Sequence, residues 1–349
     1  MRSFWNIFSF SYIILCGIAS IFAYILAPDN SRNANTMHVS IHSKPPLFSV
    51  EMLCLPTNHI PHWQDYWIGS QTMHTEIPLK SYSTNEKGII YTIYQPNGSG
   101  GEQQFISFGK FPEENSSNIL QKYIQKRTFW LGTDKYGRDM LSRMLIGARI
   151  SFVIGFIAVI ISLFLGIFMG ALAGFYGGKI DQCILWVINV VWSIPTLLLV
   201  IALSLALGKG YWQVFVAVGL TMWVEVARVV RGQILSIKQQ QYVEAARILG
   251  FSNFRIIIRH ILPNIIAPLI IISASNFASA ILIESGLSFL GIGAQPPTPS
   301  WGGMIKDHYN YIILGKPFLA IIPGIAILLL VLSFMLLGNK LRDILDVKN

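Results

Sequence analysis

The apolar residues of this chain are collected into blocks of about 20, the length that a helix needs to cross the hydrocarbon core of a bilayer. Among its 349 residues 53% are hydrophobic and 12% are charged, whereas an average soluble domain has about 25% charged residues. So few charges cannot build a soluble surface around so much apolar sequence. The chain is therefore predicted to be an integral membrane protein and not an ordinary soluble enzyme.

The apolar blocks predict six transmembrane helices in an all-α, polytopic fold. They lie at about 7–26, 150–176, 184–207, 212–227, 265–284 and 318–338. The first is interpreted as a retained anchor and not as a cleaved signal peptide, because Arg2 alone precedes it and no Ala-x-Ala site follows it. Pro195 lies within the third predicted span, where its missing N–H is expected to kink the helix.

The basic residues predict the orientation of these spans. Six spans place both termini on one side, together with the loop between spans four and five. That side carries eleven Lys and Arg residues, against three in the short loops opposite, so the positive-inside rule makes it cytoplasmic. The segment 28–149 holds twelve basic and ten acidic residues, but segments of this length cross a membrane largely regardless of charge. We therefore predict that 28–149 lies on the opposite side.

Residues 28–130 are predicted to form a small body outside the membrane, between the anchor helix at 1–27 and a helical core at 131–349. Gly88–Tyr94 has the composition of a strand, and the segment 96–101 that follows it has that of a turn. The insertion is therefore expected to be β-containing or mixed α/β.

Five of the seven histidines lie in this same segment. They are His38, His42, His59, His62 and His74. Their spacings fix no ligand geometry, and neither cysteines nor carboxylates cluster among them. Surface or packing roles are therefore favoured, and no metal site is predicted.

Three glycines recur every four residues in the second span. Gly166, Gly170 and Gly174 lie on one helix face, which favours the close approach of another helix, in this chain or in another subunit. The stripe is predicted to serve helix packing.

Two carboxylates come near the membrane. Glu225 stands three residues before Arg228, which favours a local ion pair. Glu284 is expected to close the fifth span, where it can line a pathway or lie at the interface. Glu284 and the kink at Pro195 are the candidates for a pathway or gate.

The predicted loop 228–264 is too regular in pattern to be a simple connector. The stretch from Glu244 reads as a short helix that ends at Gly250, since glycine adopts the left-handed C-terminal cap without a Cβ penalty. Ser252 is a suitable N-cap for a second helix, which Pro263 is expected to end before span five. This helix–turn–helix could receive a partner on its small alanines or lie as a hairpin on lipid.

The sequence contains no motif of a catalytic or nucleotide-binding site. Its Gly-Lys pairs are never followed by the Ser or Thr of a phosphate-binding loop, and neither H-E-x-x-H nor G-x-S-x-G occurs. We predict that the chain is not an enzyme and binds no cofactor of its own. Its net charge of +9 fits cytoplasmic membrane loops, so nucleic acid is not an expected partner.

Residues 131–349 resemble the permease subunits of bacterial ABC importers. The residues that match the loop by which those permeases contact the ATPase are Glu244, Ala245, Ala246, Gly250, His260, Leu262 and Pro263. Stretches at 131–139, 193–199 and 284–302 narrow the resemblance to the second-permease branch of the dipeptide, oligopeptide and nickel transport family. Residues 28–130 have no counterpart in the resemblance, because the first periplasmic loop is usually much shorter in that family.

The resemblance implies the type I ABC importer permease architecture in a bacterial inner membrane, with 28–149 periplasmic and both termini cytoplasmic. It implies a sister permease, two ATPase subunits that carry ATP and Mg, an extracytoplasmic substrate-binding protein and surrounding lipid. Residues 243–250 are expected to transmit ATPase closure to the spans, with Gly250 holding the bend. The expected cargo is peptide, with nickel or another small solute as the alternative.

The residues alone leave two other classes of membrane protein open. A stand-alone secondary transporter or channel would need buried titratable groups or inverted repeats, and the spans show two nearby acids and no repeat. A membrane-embedded enzyme would need a nucleophile–base or metal pattern, which the sequence lacks.

Overall fold

The computed structural model of the protein describes residues 2–56, 62–70, 75–112, 116–208 and 210–346. Within them the α-helices are α1 (Arg2–Ile21), α2 (Ala23–Leu26), α3 (Asp65–Ile68), α4 (Ser116–Tyr123), α5 (Met140–Tyr176), α6 (Gly178–Ser193), α7 (Thr196–Leu207), α8 (Tyr211–Ile237), α9 (Gln241–Ile248), α10 (Asn253–Ile256), α11 (Ile266–Leu290), α12 (Trp301–His308) and α13 (Phe318–Asp346). The strands are β1 (Phe48–Cys54), β2 (Glu76–Asn85), β3 (Gly88–Tyr94), β4 (Gly100–Ser107) and β5 (Ile124–Phe129).

The chain folds into two compact units. The helical unit comprises residues 1–17, 151–295 and 324–349, and the sheet unit comprises residues 18–150 and 296–323.

Four helices in the described part of the chain are long and apolar enough to cross a membrane. They are Met140–Tyr176, Trp212–Ile237, Asn253–Leu290 and Phe318–Leu345, and the bent pair α6–α7 makes a fifth if it is counted as one span. The first predicted span, 7–26, is shorter than expected. Its apolar helix covers Ile7–Ile21, and the helix breaks at Phe22 before α2.

Two helices extend beyond their predicted apolar spans. Helix α8 continues to Ile237, so residues 228–237, predicted as loop, are helical. Helix α11 continues to Leu290, and its predicted end at residue 284 is wrong. A charged residue ends an apolar run without ending a helix, because Glu and Arg are good helix formers. The end comes instead at Gly291, in the left-handed conformation at φ 83°.

Pro195 interrupts the third predicted span more strongly than the predicted kink. Helix α6 ends at Ser193 and α7 begins at Thr196, with an angle of 93° between them. Ile194 is extended, with ψ of 129°, since the residue before a proline is disfavoured in the helical region. The span is therefore two helices joined at a corner.

The glycine stripe of α5 packs against α8 of the same chain. Opposite the glycines at 166, 170 and 174 lie residues with the same four-residue spacing, Val226, Val230 and Ile234. A Cβ added at Gly170 would lie 2.5 Å from the carbonyl oxygen of Ala227, so the two backbones approach closely. The helix that packs on the stripe therefore belongs to this chain.

The sheet unit contains a five-stranded antiparallel sheet in the order β4-β3-β2-β1-β5. Strand β3 has the bounds predicted from the sequence, and a turn at Asn85 joins it to β2, where the Asn85 Oδ1 accepts from the N–H of Gly88 at 2.8 Å. Ile89, Ile106 and Ile119 are buried in one core that includes helix α4. The predicted β-containing insertion is confirmed.

The stretch before α5 is fixed by a buried polar network in the sheet unit. The carboxylate of Asp134 is fully buried and accepts from Arg138 Nε at 2.6 Å and from the N–H of Tyr136 at 2.8 Å. Thr133 Oγ1 donates to the carbonyl oxygen of Ile41 at 2.5 Å. A buried carboxylate is tolerated only with such partners, so this network holds the loop in one conformation.

His308 is a buried histidine at the end of α12. Its Nδ1 lies 2.7 Å from the carbonyl oxygen of Met304, and its Nε2 accepts from the N–H of Lys135 at 3.4 Å. Burial of the imidazole lowers the pKa of His308 from its ordinary value, and the Met304 carbonyl opposes that shift. The ring is therefore neutral in the folded protein near pH 7.

We expect this histidine to make the sheet unit less stable in mild acid. Below pH of about 6.5 the unfolded chain takes up a proton that the folded imidazole does not, so the free energy of unfolding falls as the pH falls. Above that pH both states are neutral and the dependence ends. Thermal unfolding in detergent between about pH 5.5 and about pH 7.5 measures this slope. His308→Gln retains a donor and an acceptor and should flatten it; equal slopes for both proteins would contradict the assignment.

Candidate functional site

The loop between α8 and α11 is an ordered helix–turn–helix. Gly250 ends α9 at φ 78°, and the N–H of Phe251 donates to the carbonyl oxygen of Ala246 at 3.1 Å. Ser252 then caps α10, its Oγ accepting from the N–H of Arg255 at 3.4 Å. The predicted glycine stop and serine cap are both confirmed.

The second half of this loop differs from the prediction. Pro263 does not end the second helix, because a π-helical turn, Ile257–Ile261, and a 3-10 turn, Leu262–Ile265, continue it into α11. Pro263 lies in the first turn of the 3-10 segment, where its missing N–H is not needed. The chain is thus helical from Asn253 to Leu290.

The inner face of α9 is fixed by an apolar cluster. Val243 and Ala246 are buried there, in one cluster with residues from α5, from α8 and from the helical stretch that leads from α10 into α11, namely Ala171, Phe175, Val226, Val230, Ile234, Ile256, Ile261 and Ile265. Arg247 adds a cation–π contact, with its guanidinium 5.3 Å from the centroid of the Phe175 ring. Because packed interiors transmit displacement, a force on α9 reaches three membrane helices directly.

The outer face of α9 and its turn exposes large apolar side chains. Ile248 is 82% exposed, Leu249 72% and Phe254 73%, and Glu244 and Ala245 are exposed beside them. Exposed apolar groups concentrated on one short loop are typical of a contact surface. These three apolar residues were not predicted from the sequence, although the helical period places Ile248 opposite Val243 and Ala246 and identifies it as outward-facing.

The other predicted residues of this loop support it from within. His260 stacks on Phe251, with ring centroids 5.8 Å apart, and Leu262 packs against the apolar cluster. Ala246 is buried, so of the two predicted alanines Ala245 alone faces outward. Pro263 is exposed at the start of the 3-10 turn.

Glu284 lies inside α11 and not at the end of a span. It is fully buried, and its Oε1 accepts from Ser288 Oγ at 2.7 Å. The same hydroxyl oxygen accepts from the N–H of Ala294 at 3.2 Å. Glu284 thus organises the turn after α11, and its predicted role at a pathway or gate stays a prediction, as does that of Pro195.

The predicted ion pair between Glu225 and Arg228 is absent from the described residues. Arg228 Nη2 instead donates to Asn189 Oδ1 at 3.0 Å, and its guanidinium lies 3.4 Å from the centroid of the Trp192 ring. The reason is tertiary: α6 offers Arg228 an amide and an aromatic face together. Glu225 is exposed on α8.

The histidines of the sheet unit occupy separate positions as far as the structure describes them. His38 Nε2 lies 3.3 Å from Glu76 Oε2, and His42 Nδ1 lies 3.4 Å from Ser43 Oγ. The backbone N–H of His62 donates to Asp65 Oδ2 at 2.9 Å. His59 and His74 lie outside the described residues. The absence of a metal site stays a prediction.

The sequence of this chain is similar to those of membrane transport proteins. Residues 162–347 match the family described as binding-protein-dependent transport system inner membrane component. The dipeptide transport system permease protein DppC of Alkalihalophilus pseudofirmus is 38% identical over 260 residues, 74% of this chain and 82% of that protein. The glutathione transport system permease protein GsiD of Pectobacterium atrosepticum is 41% identical over 219 residues, 63% of this chain and 72% of that protein.

Among solved structures, the inward-facing MetNI methionine ABC transporter aligns with a TM-score of 0.49 and 17% identity, covering 58% of this chain and 97% of that chain. That likeness adds nothing to the sequence match. The family match spans more than half of the chain and includes the α9 loop, so the fold class predicted from the sequence is confirmed. The chain belongs to the binding-protein-dependent transport system inner membrane components and is a multi-pass permease of an ABC importer.

Proposed function

We propose that this chain and a sister permease form the translocation path of an ATP-driven importer for small peptides. The names of two relatives, a dipeptide permease and a permease for glutathione, itself a small peptide, support this cargo. The basic loops support a bacterial inner membrane orientation with both termini and the α9 loop cytoplasmic and residues 28–149 periplasmic. An extracytoplasmic binding protein delivers the peptide. Nickel or another small solute is the alternative cargo.

The observation that carries the proposal is the two-sided α9 helix. Its outer face and the turn that follows it offer Ile248, Leu249 and Phe254 to a partner, and its inner face is packed against three membrane helices. An ATPase subunit, which binds ATP and Mg, covers the outer face, and Glu244 pairs there with a basic group or caps a backbone N–H. When the two ATPases close, α9 moves and the helices rock between inward- and outward-open forms.

The double variant Ile248→Asp and Phe254→Asp is expected to release the ATPase. Each buried aliphatic or aromatic contact contributes roughly 1.5–3 kcal/mol, so losing two should weaken docking at least about 100-fold. Affinity purification of the tagged chain from mild detergent, followed by mass spectrometry, measures the loss. The wild type should retain an ATPase and a second permease, and the variant should keep the permease alone.

The control is Ile313→Asp, which places one aspartate at an exposed isoleucine beyond α12. It should retain the ATPase. If the folded wild type retains neither partner, the stand-alone transporter is the better reading, and the α9 loop is then a lipid-facing hairpin. ATP-independent peptide uptake in proteoliposomes would point the same way, and ATP-driven uptake of nickel without peptide would change the cargo.

A further inference from the structure

Glu225 is an acidic residue in a helix that is long and apolar enough to cross a membrane. It lies near the centre of α8, a helix of 27 residues, and at about 1.5 Å per residue its carboxylate is roughly 20 Å from either helix end. Its side chain is exposed on the helix surface, and no ion pair or hydrogen bond to it occurs in the parts of the chain that the structure describes. Because a lone carboxylate facing lipid is costly, this face of α8 must meet water, protein or cargo.

Two cavities on the helical unit share Glu225 as a wall residue. The smaller, of about 320 Å³, is also lined by Thr196, Thr221 and Ser279. The larger, of about 580 Å³, is also lined by Gln233 and Ser275. Both volumes fall within or near the range of small-molecule sites, roughly 300–1,000 Å³. The carboxylate therefore stands where the two cavities meet.

The polar groups of these cavities follow the helix period. Thr221 and Glu225 are four residues apart on α8, and Ser275 and Ser279 are four residues apart on α11, so each pair lies on one helix face. Helices α8 and α11 are neighbours in the helical unit. Hydroxyl and amide groups thus line both cavities along α8 and α11, and this polar strip is the kind of surface that a polar cargo needs.

The basic residues of α8 leave this carboxylate unneutralised. Arg228 is held by Asn189 and Trp192, and Arg231 donates two hydrogen bonds to Asp181, at 2.5 and 2.7 Å. Both cations are therefore engaged with α6. Arg342 of α13 lines the larger cavity, so that cavity carries one group of each sign.

We propose that Glu225 binds the ammonium group of a peptide as it passes along this strip. The proposal rests on the peptide import proposed above. An ammonium group has three donors, and a carboxylate with nearby hydroxyl oxygens supplies matching acceptors, one of them charge-assisted. A metal ion would need further carboxylate, His or Cys ligands, and neither cavity has one among its lining residues. The ammonium can come from the peptide N-terminus or from a lysine side chain.

The test is ATP-driven uptake by the complete importer in proteoliposomes, with its binding protein present. Glu225→Gln keeps the shape of the side chain and removes the charge, and should lower the maximal uptake rate of trialanine about tenfold or more. Glu225→Asp, which keeps the charge, should retain most of the rate. The control Glu51→Gln, at an exposed carboxylate on β1, should match the wild type.

Peptide variants identify the source of the ammonium. For each peptide the ratio of variant rate to wild-type rate is compared, so that selection by the binding protein cancels. N-acetyl-trialanine should show a ratio near one, because it presents no ammonium. If the ratio of variant to wild-type uptake is again low for N-acetyl-Ala-Lys-Ala, Glu225 also binds the lysine ammonium. If that ratio is near one, Glu225 binds the N-terminal ammonium only.

The outcomes separate this inference from the proposed function. A wild-type importer that takes up no peptide overturns the peptide function. Equal uptake of trialanine by the wild type and Glu225→Gln overturns the ammonium site and leaves peptide import standing. An equal loss for the blocked peptide also overturns the site. If Glu225→Gln fails to insert, Glu225→Ala, which also removes the carboxylate, takes its place: the proposal predicts a low uptake ratio for trialanine and a ratio near one for N-acetyl-trialanine, and equal ratios for the two peptides overturn it.

Discussion

Replacement of Gly250 by valine is expected to abolish uptake and to leave the protein inserted and folded. Gly250 has φ of 78°, a conformation in which an L side chain is strained by about 1–2 kcal/mol, and β-branched residues are least tolerant of it. No atom lies within 4 Å of the position that its Cβ would take. The variant therefore suffers no clash, and the turn relieves its strain by moving α9 relative to the helices beneath it.

Uptake and membrane content of Gly250→Val are measured side by side. Gly315→Val is the matched control, because Gly315 has φ of 72° with equally open surroundings, in the loop before α13. Gly250→Asn should retain most uptake, since asparagine tolerates the left-handed region. Loss of the folded protein in Gly250→Val, or equal loss of uptake in Gly315→Val, would contradict a coupling role for this turn.

Replacement of Gly170 by leucine is expected to prevent formation of the helical unit. A Cβ at Gly170 would lie 2.5 Å from the backbone oxygen of Ala227, and a backbone atom in a helix cannot move aside as a flexible side chain can. Overpacking a well-packed core costs about 1–3 kcal/mol when side chains can adjust, and more is expected where two backbones meet. Helices α5 and α8 would have to separate along the whole stripe.

The matched control for Gly170→Leu is Gly232→Leu, since Gly232 is a helical glycine of α8 with no atom within 4 Å of an added Cβ. The control should insert normally and unfold at the wild-type temperature in detergent. Gly170→Leu should accumulate poorly and unfold at a markedly lower temperature. Similar behaviour of the two variants would show that the close approach of α5 and α8 is not needed for folding.

The parts of this fold that were predicted correctly from the sequence are those that depend on residues close together along the chain. The turn at Gly250 and the cap at Ser252 depend on a few adjacent residues, and the structure has both. Strand β3 is bounded by its own turn residues. Hydropathy also located the main spans, because crossing a bilayer requires a continuous apolar run wherever the helix packs.

The features that sequence reasoning missed depend on residues distant along the chain. Helix α11 continues past Glu284 to Leu290, beyond the predicted end of the apolar span. Hydropathy did not reveal this end, because it indicates which residues can contact lipid and not which backbone groups form hydrogen bonds. Arg228 bonds to Asn189, a partner that spacing along α8 cannot reveal. In the candidate site, the resemblance supplied Glu244 and Gly250, whereas the exposure of Phe254 became evident only when the loop was folded.

The glycine stripe has a mechanical consequence for the permease. Side chains of α8 lie over glycines of α5 at every fourth residue. The two helices therefore cannot slide past each other in small steps, because the next matching position is four residues away, about 6 Å along the axis. The two helices therefore tilt together as a single lever. Ile234 lies in one cluster with α9, and the other end of α8, at Tyr211, is about 35 Å away along the helix. A rotation of about 5° imposed through α9 would move that end by about 3 Å, so a small displacement at α9 becomes a larger one at the opposite end of the helix pair.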